Sequence, residues 1–157
     1  MSDILCIYCS RSGITKSIME SAAAKLGAEL CEITDGKSRR GAFGFWGAAL
    51  SALGKKLPAL LPVSTEKPLE DYRTVIVGMP IWSETTCPIA KSFLKNNSAS
   101  IKGDVYYIVT HMSKVPYDKP ISKLSGYLGK PCKGYVSVKT KNHDYRDEID
   151  RFIEKLK

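Results

Sequence analysis

Short apolar runs rich in strand formers alternate along this chain with stretches of helical periodicity, and that alternation leaves few folds open. Ile4 to Tyr8 is the first such run. Ile18, Met19, Ala22 and Leu26 then recur at helical spacing between Thr15 and Leu26, and Gly27 follows as a terminator. Leu30 to Ile33 reads as a weaker second strand, and a Gly- and Arg-rich loop over 34 to 46 leads to a helix-prone stretch, Ala48 to Leu57. Thr74 to Met79 is the clearest strand. Its Val75, Ile76 and Val77 are consecutive and apolar, as in a parallel strand buried on both faces, and Pro80 is expected to end it. A helix starting near Pro88 carries Ile89 to Leu94. Val105 to Val109 is a fourth strand, Ile121 to Leu128 a helix, Gly134 to Val138 a fifth strand, and Tyr145 to Leu156 a closing amphipathic helix. This order predicts an α/β fold in one domain over residues 1–157, with a doubly wound, five-stranded parallel sheet and helices on both faces.

Such sheets bind ligands beyond the carboxyl ends of their strands, where strand order reverses. The loops that matter are therefore 9 to 15, 80 to 87 and 110 to 118. The first reads Cys9-Ser10-Arg11-Ser12-Gly13-Ile14-Thr15-Lys16. Hydroxyls, a glycine and a helix N-terminus meet there, and free backbone N–H groups at the positive end of a helix suit an anion. A plain capped turn, with Ser12 or Thr15 as N-cap, is the alternative. Other phosphate and nucleophile motifs are missing: the chain has no G-x-x-x-x-G-K-[ST], no G-x-G-x-x-G in this loop and no G-x-S-x-G. A phosphatase loop needs Arg six residues after its cysteine, and Ser12 and Thr15 hold those positions after Cys6 and Cys9. In the second loop, Trp82 can stack on a flat ring or pack on the following helix. The third, Thr110-His111-Met112-Ser113 to Tyr117, offers polar donors and another aromatic; a histidine there can serve a proton near neutral pH.

Ser10-Arg11-Ser12-Gly13-Ile14-Thr15, directly after an N-terminal strand, resembles the [ST]-x-[ST]-G-x-[ST] phosphate loop of the flavodoxin family. Val75 to Trp82 resembles that family's third strand and flavin-flanking loop. The resemblance spans essentially the whole chain and implies the strand order 2-1-3-4-5 and a bound FMN. It places the phosphate on Ser10, Ser12, Gly13 and Thr15, with Arg11 and Ile14 in the same loop. It holds the ring between Pro80, Ile81, Trp82 and Ser83 on one side and Thr110, His111 and Met112 on the other, with Tyr117 closing the second face. No catalytic residue is assigned. Where the family carries glycine after the loop aromatic, this chain has Ser83 and then Glu84. A turn needing φ > 0 costs a residue with a Cβ roughly 1–2 kcal/mol, which is expected to bias the flavin toward two-electron chemistry.

Charge departs from the family as well. Flavodoxins are acidic, whereas 24 Lys+Arg against 16 Asp+Glu leave this chain at +8. Residues 102 to 141 hold eight lysines and two aspartates, and residues 37 to 56 hold five basic residues and no acid. That pattern suits an acidic redox partner protein, an anionic reductant such as NAD(P)H, or peripheral contact with a membrane surface. Nucleic acid is not expected, because no groove-reading helix or aromatic-basic motif is evident. Arg39 to Trp46, with Phe43, Phe45 and Trp46, reads as a small-residue loop, an aromatic lid or a dimerisation patch, so monomer and homodimer both stay open.

Neither a leader nor a spanning segment is expected. The start is Met1-Ser2-Asp3, and the most apolar stretch, Gly41 to Leu61, is broken by Lys55, Lys56 and Pro58. Five cysteines without a secretory leader suit a reducing cytoplasm. Cys6-Ile7-Tyr8-Cys9 spells C-x-x-C, but no second ligand pair exists for a metal. Along a strand its ends lie about 10 Å apart, beyond the roughly 7 Å limit for a disulfide. The expected function is an FMN-binding electron-transfer protein. The alternative is an FMN-dependent reductase of quinones or other small acceptors, or an oxidase resembling the menaquinone-dependent protoporphyrinogen oxidase. A flavodoxin-fold module without flavin is the third reading, and the intact phosphate loop speaks against it.

Overall fold

The computed structural model describes residues 1–37, Trp46 and 56–157. Strand β1 (Ile4–Tyr8) leads into helix α1 (Ile14–Leu26) and strand β2 (Glu29–Glu32). After a 3-10 turn at Leu69–Asp71 come β3 (Thr74–Trp82), β4 (Thr85–Thr86), α2 (Pro88–Asn97) and β5 (Asp104–His111). The short helices α3 (Asp118–Ser122) and α4 (Ser125–Leu128), strand β6 (Gly134–Lys139) and helix α5 (Arg146–Glu154) complete the order. The expected helix over 48 to 57 and the Arg39 to Trp46 segment lie almost wholly outside the described residues.

The parallel strands run β2-β1-β3-β5-β6, and the two-residue β4 pairs antiparallel with the end of β3. This is the expected order with one addition, the hairpin. Alternation along each strand feeds two cores. Leu5, Ile7, Val75, Val77 and Met79 face one, while Cys6, Tyr8 and Ile76 face the other. The consecutive apolar residues of β3 follow directly, because both of its faces are covered. On the first face α2 packs Ile89, Ala90, Phe93 and Leu94, joined by Ile121, Leu124 and Leu128. On the second, α1 supplies Ile18, Met19, Ala22 and Ala23, and α5 supplies Ile149 and Ile153. Contact there is so close that a Cβ at Gly78 would lie 2.5 Å from the Met19 side chain.

Two boundaries differ from the sequence expectation. Pro80 does not end β3, which continues to Trp82. The ladder with β1 stops at Tyr8–Gly78, with the Cys9 N–H donating to the Gly78 carbonyl at 3.1 Å. Pro80, two residues on, points its missing donor to the same side, where no β1 residue is left to receive it. The expected single helix over 121 to 128 is two. The Ser122 and Ser125 hydroxyls donate to the carbonyls of Lys119 and Ser122, at 2.8 and 3.0 Å. The ladder tightens to i→i−3 bonds at Leu124, Gly126 and Tyr127.

Candidate functional site

The carboxyl edge of the sheet carries an open cleft, where sheets of this kind take their ligands. Its walls are Ser10, Arg11, Ser12, Ile14 and Thr15 from the first loop, Pro80 to Glu84 from the end of β3, and Thr110, His111, Met112 and Thr140. Twelve of the fourteen residues expected from the sequence are therefore together. The exceptions are Gly13 and Tyr117.

Gly13 shapes the site from within the loop. It is the N-cap of α1 at φ 96°, a left-handed conformation that favours glycine, so neither Ser12 nor Thr15 holds the N-cap position. Its N–H donates to Ser10 Oγ at 3.1 Å, which folds the loop back on itself. The first-turn amides of α1 come without a capping side chain, and a helix start of this kind presents N–H donors to the solvent side. Ser12 is exposed, whereas Thr15 is 2% exposed and shares a 2.9 Å hydrogen bond with the Thr110 hydroxyl. That bond ties the first loop to the third across the sheet.

Tyr117 does not close the cleft. It is 5% exposed and belongs to the main core, with its hydroxyl on Ser113 Oγ at 2.9 Å. His111 stands between it and the cleft, the two ring centres 5.0 Å apart. His111 Nδ1 lies 2.8 Å from the Ser113 carbonyl. A carbonyl only accepts, so Nδ1 carries the hydrogen, and Nε2 of the neutral ring keeps its lone pair. Of the two roles the sequence allowed for Trp82, the structure shows packing against the following helix. At 7% exposure it packs in the core with Ile89 and Cys87, and its remaining surface faces the cleft.

Ser83 and Glu84 form the two-residue tip of the β3–β4 hairpin, between the paired Trp82 and Thr85. Both have positive φ, 46° and 65°, the conformation of a type I′ turn. The positive φ that a Cβ makes costly is therefore already held in the folded chain, at Ser83 and Glu84 alike. Glu84 and Thr140 were missed. Glu84 is the other half of that tip. Thr140 follows β6 at the same carboxyl edge and donates its N–H to the His111 carbonyl at 2.8 Å, so the strand-end rule applied to the fifth parallel strand would have found it.

Behind the cleft, burial and then the hydrogen bond to Cys87 hold the Cys9 thiol well above its ordinary value. All five cysteines are free thiols, and among the described residues no cluster of metal ligands forms. No helix of the described residues is long and apolar enough to cross a membrane.

No protein-family model matches this chain, and no curated protein sequence does. Solved structures do resemble it. A flavoprotein from Lactobacillus acidophilus NCFM in complex with FMN is 21% identical, with a TM-score of 0.71, over 96% of this chain and 98% of its own. A protein from Bacteroides uniformis designated a flavoprotein is 21% identical, with a TM-score of 0.77, over 98% of each chain. An NADH:FMN oxidoreductase in its apo form is 15% identical, with a TM-score of 0.55, over 97% of this chain and 84% of its own. The fold is flavodoxin-like.

Proposed function

We propose that the cleft binds FMN and that the protein transfers electrons through it. The observation that carries this reading is the donor set of the first loop. Ser10, Arg11, Ser12 and Thr15 line the cleft beside the start of α1, where the strand order reverses, and the one carboxylate among its lining residues, Glu84, sits on the opposite hairpin. A phosphate monoester fits such donors, with α1 adding its positive end. Pro80, Ile81 and Trp82 give the cleft an apolar wall against which an aromatic ring can lie. FMN, when bound, supplies reversible uptake of one or two electrons. His111 Nε2 can take or return a proton at the cleft, its ring oriented by the Nδ1–H bond to Ser113.

The electron-carrier reading comes first; it is supported by Ser83 already holding, in the folded chain, the positive φ that a Cβ makes costly. The second reading is an FMN-dependent reductase of quinones or other small acceptors, a protoporphyrinogen-oxidase-like enzyme included. Its support is the apolar rim: Ile14 and Met112 are 40% and 50% exposed, and a small apolar acceptor can rest on them. The partner follows from charge: an acidic redox protein or NAD(P)H, with peripheral membrane contact also compatible. Free thiols suit a reducing cytoplasm.

Titration of the apoprotein with FMN, read by flavin fluorescence, tests the site. Tight binding is expected, and Ser12→Ala should weaken it at least tenfold, since a hydrogen bond to a charged group contributes about 1.5–3 kcal/mol. Unchanged affinity in that variant removes the phosphate assignment. Turnover of a quinone with NAD(P)H alone selects the reductase, and reduction only through a partner reductase selects the carrier.

A further inference from the structure

Cys9 and Cys87 come from opposite halves of the site, 78 residues apart in sequence, yet their Sγ atoms lie 3.0 Å apart. Both thiols are free and buried, at 1% and 0% exposure. Their meeting is fixed by the backbone. The Cys9 N–H donates to the Gly78 carbonyl at 3.1 Å, and the Cys87 N–H donates to the Pro80 carbonyl at 3.2 Å. Carbonyls two residues apart on a strand point the same way, so β3 holds both cysteines along one edge. Two residues of strand span about 6.6 Å, so the two backbones are anchored close enough for the side chains to meet. Cys9 also lies in the wall of a small pocket shared with Ser10, Arg11 and Trp82, which gives a small oxidant an approach.

We propose that Cys9 and Cys87 are a redox-active dithiol that closes to a disulfide and clamps the two walls of the cleft together. Cys9 opens the first loop, and Cys87 immediately follows the hairpin at the N-cap position of α2. The oxidant class is a peroxide. One thiol is oxidised by hydrogen peroxide to a sulfenic acid with release of water. The second sulfur then displaces hydroxide from it, a second water forms, and the S–S bond closes. In sum, two thiols and one peroxide give one disulfide and two waters. A dithiol reductant reverses the step by exchange. The C-x-x-C spacing is irrelevant here, because Cys6 faces the opposite core from Cys9.

The test uses the unaltered folded chain. It is exposed to excess hydrogen peroxide, unfolded in alkylating reagent, digested and mapped by mass spectrometry. The expected product links the Cys9 and Cys87 peptides, has lost two of the five thiols with a mass lower by two hydrogens, and reverts in dithiothreitol. Cys87→Ser and, separately, Cys9→Ser should abolish the reversible cross-link, while Cys132→Ser should leave it intact. The proposal is overturned if both cysteines remain alkylatable after the more exposed Cys31 and Cys132 have reacted, or if the cross-link joins another pair. Neither result depends on flavin, so the outcome is separate from that of the FMN titration.

Discussion

Single positions carry much of the site's character, and Ser83 shows how. It and Glu84 occupy left-handed backbone that glycine or asparagine would hold more easily. Each residue with a Cβ costs about 1 kcal/mol there. Ser83→Gly should therefore raise the unfolding free energy by about 1 kcal/mol, provided the hairpin keeps its pairing; denaturant titration reads this directly. A loss of stability would mean that the Ser83 side chain makes contacts that outweigh the backbone cost. The same position shows a limit of sequence reasoning. The absence of glycine argued against a positive φ, yet strand pairing on both sides of the tip imposes it. Tyr117 shows another limit. Its aromatic character and its loop were legible, but its burial behind His111 depends on how the loop folds back, which no spacing encodes.

Among the elements, β3 was the most legible, because its run of apolar residues has one physical cause, burial on both faces. The phosphate loop was legible for a similar reason: hydroxyls, glycine and a helix start are needed together within a few residues. The ends of elements were not, since Pro80 is tolerated only because β1 stops short, and the split of α3 from α4 depends on serine hydroxyls competing for carbonyls. The packing of α1 on β3 makes a sharper prediction. Gly78→Ala should destabilise the fold by about 1–3 kcal/mol through overpacking against Met19. Met19→Ala loses its own packing, and the double variant should be less destabilised than the two single effects added, as a double-mutant cycle will show. Strict additivity would refute the contact.

For the whole molecule, charge and buried acids set the dependence on conditions. Electron exchange with an acidic partner should slow steeply as salt rises, because steering is screened within about 10 Å at 0.1 M. A rate flat with ionic strength in stopped-flow measurements would leave the +8 without a role in recognition. Alkali should unfold the protein. Burial pushes the Cys6 thiol from an ordinary 9.0 up to about 12, and the Tyr8 phenol from 10.0 up to about 12. Groups whose folded pKa is raised contribute stability that is complete below the unfolded pKa and lost above it. The loss therefore begins near pH 9 and continues toward 12, at about 1.4 kcal/mol per pH unit for Cys6 alone. Denaturation midpoints measured from pH 7 to 11 should fall only in the upper part of that range.

The overhang of β3 beyond β1 divides labour along a single strand. Its first five residues are clamped between two neighbours, so nearly any change there is felt by the sheet. Its last residues, and the two-residue tip they carry, answer to the backbone of the hairpin and to whatever occupies the cleft. The charge at Glu84 is thereby insulated from the core. Its side chain is held in the cleft wall by a turn, and reversing its charge would alter what the cleft accepts while leaving the core as it is.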